Sequence, residues 1–231
     1  MSAVVGVSGS SDSALLAAAY KGTPMRSPRI TPAEPPYAED VAEELARWMP
    51  PNTPLEPLKL FRTLVRRNEL ARAMWPLGSY LLSRRFSIGL RERELVIQRV
   101  CARCACEYEW GVHASIFAAR AGFSEDELDG TYSHSGNDPR WDEAHSLLVR
   151  MVDQLHDTGG IDDDLWSSLS AKWTEEQLLD LLVLAGWYHV ISYVANGARV
   201  EREDWARAFP EGGSPSNKGG DARSKTSSKK I

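Results

Sequence analysis

Residues 90–122 read LRERELVIQRVCARCACEYEWGVHASIFAARAG, and this stretch carries the polar groups around which we interpret the rest of the chain. Cys106, Glu109 and His113 are three and four residues apart, so a helix places them on one face. Glu94 precedes them in the same stretch. Because charged and polar groups that face a core must be paired or hydrated, this combination of thiol, acid and imidazole indicates a functional site.

The composition narrows the class of protein. The chain has 231 residues, of which 42% are hydrophobic, and a formal net charge of -5, so one domain or two small ones are expected and nucleic acid is not predicted as a partner. No run approaches the roughly 18 consecutive apolar residues of a membrane span, and no convincing secretory signal is present. We therefore expect a cytoplasmic protein without a membrane partner.

All three cysteines lie within six residues, at positions 101, 104 and 106. An odd and local cluster cannot cross-link a fold, so no disulfide framework is predicted. Cys101, Cys104, Cys106 and His113 could together be drawn as a zinc site, but one continuous helix would point Cys101 and Cys106 apart. We therefore predict no metal.

The chain divides into three parts by composition. Residues 1–36 are rich in Ser, Gly and Pro, and residues 211–231 carry five basic against two acidic residues among Gly and Ser; both are predicted to be disordered. Residues 37–210 show helical periodicity and no clean two-residue alternation, which predicts an all-α domain.

Local signals predict several helix ends. Ser124 with Glu127, and Thr174 with Gln177, are typical of capping boxes. Periodicity does not settle whether a helix continues unbroken through residues 102–106. The most apolar helix follows Thr174, and a helix that is apolar on nearly all sides is central or lies at a subunit interface. Arg93 and Arg99 are expected to lie largely at the surface.

The string EYEW at residues 107–110, followed by His113 and preceded by Glu94 and Cys106, resembles the carboxymuconolactone decarboxylase family, which shares the fold of the alkylhydroperoxidase AhpD. The resemblance spans roughly residues 58–203. It implies an AhpD-like bundle of mostly antiparallel helices, and a homo-oligomer, trimer or hexamer, with sites at or near subunit contacts.

The AhpD branch of this family has two cysteines, and Glu109 stands where the second one would be. A carboxylate cannot form a disulfide, and a thiol peroxidase of that type needs a resolving thiol within reach. Cys101 and Cys104 have the two-residue spacing but lie out of register. A thiol peroxidase or oxidoreductase that uses Cys106 therefore stays open as the alternative function.

For the decarboxylase branch the resemblance implies loss of CO2 from a small carboxylated lactone without a cofactor. His113 is then the general acid or base, because its unperturbed pKa lies nearest neutrality. Glu94 and Glu109 would set its tautomer and charge, and Cys106 would either contact the substrate or have no role in the reaction. The predicted substrate-binding side chains are Arg99, Arg103 and Trp110.

The other histidines and the tyrosine of the apolar helix receive a structural interpretation. His134, His145 and His156 are predicted to lie at the surface or in loops, and Tyr188 and His189 are predicted to pack in the core or at an interface. A second alternative function is a family member without turnover that serves in binding or assembly.

Overall fold

Helices form all of the regular secondary structure in residues 27–51 and 53–211, which are the residues that the computed structural model describes. The all-α prediction is confirmed for this part of the chain. In chain order the helices are α1 (Glu39–Trp48), α2 (Lys59–Leu64), α3 (Asn68–Leu81), α4 (Leu90–Arg103), α5 (Glu107–Phe117), α6 (Glu125–Ser133), α7 (Glu143–Thr158), α8 (Asp163–Ser170) and α9 (Glu175–Ala198).

Helix α4 is the centre of the core. It packs against α5, α6, α7 and α9, and most of its residues are buried, including Leu95, Val96 and Ile97. Because α4 is surrounded, its polar residues are buried as well. The expectation that Arg93 and Arg99 lie at the surface is wrong, since both are buried.

Helix α9 is both a core helix and a surface helix. One side packs on α4 and α5. By length and composition α9 could also cross a membrane, since its most apolar window has a mean hydropathy of 1.6, but 44% of that window is buried inside the bundle. The core helix of a soluble protein can have the same length and hydropathy. The absence of a membrane partner and the cytoplasmic location therefore stay predictions.

The predicted helix ends agree with the structure. Ser124 and Glu127 form a capping box at the start of α6, and Thr174 and Gln177 form the second one at the start of α9. In each box the hydroxyl accepts from a backbone N–H that the first turn of the helix leaves without an intrahelical partner, and caps of this kind contribute about 1 kcal/mol.

The segments that flank the helices are held against them. In residues 27–36 the backbone N–H of Arg29 donates to the carbonyl of Ala198, and that of Ala33 to the carbonyl of Arg62. The predicted disorder is therefore wrong for residues 27–36, whereas residues 1–26 and 212–231 lie outside the described residues. After α9, a buried Glu203 carboxylate accepts from the hydroxyl of Tyr108 at 2.7 Å and so fixes α5.

Candidate functional site

The site begins with a break between α4 and α5. Ala105 adopts a left-handed backbone conformation with φ of 49°, which ends α4, and the N–H of Cys106 donates to the carbonyl of Cys101 at 2.8 Å. Helix α5 starts immediately after Cys106. Since the two helices are separate, they can pack side by side, and Glu94 of α4 can face His113 of α5.

The structure brings Glu94, Glu109 and His113 together. Nδ1 of His113 lies 2.7 Å from Oε2 of Glu94, and Nε2 lies 3.4 Å from Oε1 of Glu109, one turn earlier on α5. All three side chains are buried. The imidazole is therefore placed between two carboxylates.

This arrangement decides the charge of His113. Burial disfavours the imidazolium, but the charges and hydrogen bonds of Glu94 and Glu109 outweigh burial and raise the pKa of His113 to about 9. Near neutral pH the ring therefore carries two protons. Nδ1–H then donates to Glu94, and Nε2–H is the proton that can be transferred.

Tyr188 is a residue of the site for which sequence analysis predicted only packing. Its hydroxyl lies 3.1 Å from Nε2 of His113, and its ring packs edge-on against the imidazole. Burial and the nearby Glu109 and Glu94 raise the pKa of Tyr188 well above its usual value, so the phenol stays neutral. Tyr188 is 75 residues from His113 in the sequence. No local sequence pattern could therefore have placed it in the site.

Among the contacts of the described residues, Arg93 is the cation closest to the cluster of Glu94, Glu109 and His113. Its Nε and one terminal nitrogen donate to Oε1 of Glu94 at 3.1 and 3.0 Å. The guanidinium also lies 6.0 Å from the ring centre of Phe117, which packs against the imidazole of His113. Arg93 thus holds the carboxylate that orients His113.

The thiol of Cys106 is buried at the start of α5. A helix N-terminus favours a thiolate, but here burial dominates and raises the pKa of Cys106 to about 12, although the backbone N–H of Glu109 acts in the opposite direction. Burial also raises the pKa of Cys101 well above its usual value. Near neutral pH both groups are thiols.

The predicted substrate-binding residues contact other parts of the helical bundle. Arg99 makes a bidentate ion pair with Asp153, at 2.7 and 2.8 Å, and Arg103 pairs with Asp157. Trp110 is fully buried, and its Nε1 donates to Thr131 at 3.0 Å. All three have structural contacts, and none of these contacts is with His113.

Two buried polar groups near the site have no hydrogen-bond partner in the described part of the chain: the side-chain amide of Gln98 and Oε2 of Glu109. Gln98 lies on the same face of α4 as Glu94 and Cys101, four residues after one and three before the other. Buried groups without a partner are rare in native proteins. Gln98 joins the candidate site because its buried amide lies one helical turn after Glu94 on α4.

A second cluster, separate from His113, contains one thiol and two imidazoles. Within the described residues, the set with metal-binding geometry is Cys104, His156 and His189, and the set of three cysteines with His113 is not found. His156 was predicted to lie in a loop or at the surface, but it belongs to the last turn of α7 and is partly buried.

The fold and the site define an AhpD-like helical protein, and comparisons with known proteins agree. Residues 68–148 match the sequence model of the carboxymuconolactone decarboxylase family. This segment contains Glu94, Cys106, Glu109 and His113, so the resemblance seen in the sequence is confirmed. The similarity to this family rests on that segment of the chain.

Solved structures share the fold. A protein of unknown function from Agrobacterium tumefaciens, provisionally named as the antioxidant defence protein AhpD, is 21% identical with a TM-score of 0.53 over 60% of this chain and 94% of its own. A peroxidase-related protein from Silicibacter sp. TM1040 is 12% identical with a TM-score of 0.59, over 67% and 81%.

The debrominase Bmp8 is 15% identical with a TM-score of 0.60, over 76% of this chain and 92% of its own. At these identities the similarity shows the fold alone. A search of curated protein sequences found no significant match.

Proposed function

We propose that the protein is a cofactor-free decarboxylase of a small carboxylated lactone or a related ring compound. The observation that carries this proposal is the buried imidazole of His113 between Glu94 and Glu109, at 2.7 and 3.4 Å. Such a group donates a proton in a site without bulk water, which is what the reaction requires of the protein.

The reaction balances with one proton. The bond between the ring carbon and the substrate carboxylate breaks, CO2 leaves, and the electron pair delocalises into the lactone carbonyl to give a dienolate. Nε2–H of His113 then protonates the ring carbon, and His113 regains its proton from solvent. A pKa of about 9 keeps His113 in the acid form near neutral pH, and no metal or organic cofactor enters the scheme.

Arg93 and Gln98 are the side chains that we assign to the substrate. Arg93 is held by Glu94 through two of its nitrogens, and its remaining donors suit the substrate carboxylate. The amide of Gln98 is buried without a partner, and its N–H groups can stabilise the dienolate oxygen. Both assignments replace Arg99 and Arg103, whose guanidinium groups pair with aspartates.

The similar structures support a small ring as the substrate class. A variant of the debrominase Bmp8, with a cysteine replaced by alanine, has been solved in complex with 2,3,4-tribromopyrrole. A protein of this fold therefore binds a small ring compound, and a carboxylated ring is a substrate of comparable size for this chain.

The experiment is a screen of carboxylated lactones for CO2 release, run in D2O so that the product carries deuterium at the protonated carbon. His113→Gln should lower kcat by about 10²- to 10⁴-fold. His134→Gln is the matched control, because His134 lies outside the site, and it should leave kcat unchanged. Equal activity of the wild type and His113→Gln on every substrate that releases CO2 would reject His113 as the acid.

A thiol peroxidase that uses Cys106 is the second candidate. Its support is that the three thiols lie around one buried hydroxyl: burial raises the pKa of each thiol, and Ser192 acts in the opposite direction on each. Burial is the larger effect, and the hydroxyl of Ser192 has no hydrogen-bond partner of normal geometry within the described residues. A non-catalytic binding or assembly role is the third candidate, and full cellular function of His113→Gln would favour it.

We also propose that the protein is a homo-oligomer. The resemblance implies a trimer or hexamer, and α9 has an outward stripe of exposed apolar side chains, Leu179, Val183, Val190 and Tyr193. These residues follow each other at intervals of four, seven and three, so they share one helix face. A second copy of the chain is the partner that would bury this stripe.

A further inference from the structure

We propose that Cys104, His156 and His189 form a Zn²⁺ site with three protein ligands. Cys104 follows the last residue of α4, His156 lies in the last turn of α7, and His189 lies in α9. The site uses none of Glu94, Glu109 or His113, so it is independent of the proposed decarboxylase activity.

The distances between the ligand atoms fit one ion. Nδ1 of His156 lies 3.1 Å from Nε2 of His189 and 4.0 Å from the Sγ atom of Cys104, and all three atoms lie within 4.8 Å of one another. A tetrahedral zinc ion with ordinary bond lengths needs ligand atoms about 3.3 to 3.6 Å apart. Small side-chain rotations are therefore enough to bind the ion.

The orientation of His189 is already fixed. Its Nδ1 lies 2.9 Å from the carbonyl of Ala185, one turn earlier in α9. Only an Nδ1–H can donate to this carbonyl, so Nε2 is left with its lone pair towards His156. Zinc-binding histidines commonly have the proton on the second nitrogen fixed in this way.

The surroundings favour a cation that prefers sulfur and nitrogen. Both α4 and α7 end at the cluster, and helix C-termini carry partial negative charge. The Asn196 side chain donates to the carbonyl of Cys104 at 2.8 Å and fixes the helix end.

One thiol and two imidazoles leave a fourth coordination position. The three side chains are only partly buried, so water can reach the ion. On binding, Cys104 loses its thiol proton to solvent and coordinates as the thiolate. An open position of this kind is typical of zinc sites that bind an exchangeable ligand.

The test uses the full chain, freed of metal by chelation and titrated with Co²⁺ as a spectroscopic substitute for Zn²⁺. The proposal expects one equivalent bound per chain, with the absorption of a Co(II)–thiolate bond, and displacement by Zn²⁺. Cys104→Ala should abolish the thiolate absorption, and His156→Gln and His189→Gln should each weaken binding by about 100-fold or more.

Two matched controls separate this site from its neighbours. Cys106→Ala removes a cysteine outside the cluster, and His145→Gln removes a histidine from the same helix as His156; both should bind Co²⁺ like the wild type. Absence of the thiolate absorption in the wild type, or its persistence in Cys104→Ala, would overturn the proposal. Two imidazoles that only share a hydrogen bond predict the first of these results, and a metal bound through another thiol predicts the second.

A second measurement does not depend on the folding of a variant. In the wild type, Zn²⁺ should protect Cys104 from alkylation by iodoacetamide, as followed by mass spectrometry of the digested protein. Cys101 and Cys106 serve as internal references, since both are buried and should react slowly with or without the metal. Equal alkylation of Cys104 with and without Zn²⁺ contradicts the site.

Discussion

Nδ1 of His113 lies 2.7 Å from Oε2 of Glu94, although the two residues are 19 positions apart and belong to different helices. The contact depends on the break at Ala105, because a single helix through this region would place the two residues about 28 Å apart along its axis. The contact with Glu94 fixes both the orientation and the charge of the His113 imidazole. The catalytic proposal rests on this pair, and Glu109 and Tyr188 complete its surroundings.

The free energy of unfolding should depend on pH through His113. Its pKa is raised to about 9 in the folded protein, against about 6.5 in the unfolded chain. The raised pKa stabilises the fold fully below about pH 6.5, and this contribution is lost as the pH rises through about 9. Denaturant unfolding at several pH values should show a loss on the order of 3 kcal/mol across this window.

His113→Gln is the reference for this measurement, since it removes the titrating ring and should flatten the dependence over the same window. His134→Gln should retain it. A wild type and a His113→Gln variant that lose stability in parallel would show that the imidazole is neutral in the folded protein.

Gln98→Met should separate stability from activity. The apolar side chain has a similar size and removes a buried amide without a partner, so the free energy of unfolding should rise by about 1 kcal/mol. If Gln98 donates to the dienolate oxygen, kcat should fall by about 10²- to 10³-fold. Thermal unfolding and decarboxylation of the same preparation measure both. A variant that is more stable and fully active would assign Gln98 no role in the reaction.

The helical fold and three members of the site could be predicted from the sequence because their signals are local. Capping boxes and helical periodicity can each be recognised from a few neighbouring residues. Cys106, Glu109 and His113 are also close in sequence and share one helix face. Glu94 lies in the same stretch of sequence, and the resemblance linked it to the motif. The match over residues 68–148 supports that link.

The remaining features depend on contacts that no local pattern encodes. Arg99 was expected at the surface because its charge suggested exposure, but the surrounded position of α4 buries it against Asp153. Tyr188 and His189 are neighbours in the apolar helix, yet one contacts His113 and the other faces His156. Their roles differ because these two successive residues of α9 point in different directions, Tyr188 towards α5 and His189 towards the end of α7.

Asp153→Asn should destabilise the fold because it leaves the guanidinium of Arg99 buried without its countercharge. We expect a loss of about 3 kcal/mol in the free energy of unfolding. Asp157→Asn is the matched control, since Asp157 is more exposed and should cost less. The KM of folded Asp153→Asn should equal that of the wild type. A raised KM with unchanged stability would indicate that Arg99 binds the substrate.

Mild peroxide should leave Cys106 without an intramolecular disulfide. With a pKa of about 12, its thiolate fraction at pH 7 is about one part in 10⁵, and the thiolate is the reactive form. Mass spectrometry of the alkylated, unreduced protein measures this directly. A disulfide between Cys106 and Cys101 or Cys104 would instead favour the thiol peroxidase.

The apolar stripe of α9 should control the oligomeric state. Leu179 and Tyr193 are 63% and 66% exposed in the single chain, and their burial against a second copy would stabilise an assembly. Light scattering during gel filtration should show a trimer or hexamer for the wild type and a smaller species for Leu179→Glu with Tyr193→Glu. Leu70→Glu, which changes an exposed leucine of α3, should assemble like the wild type. A monomeric wild type would contradict the proposal, and a double variant that assembles normally would place the contact on another face.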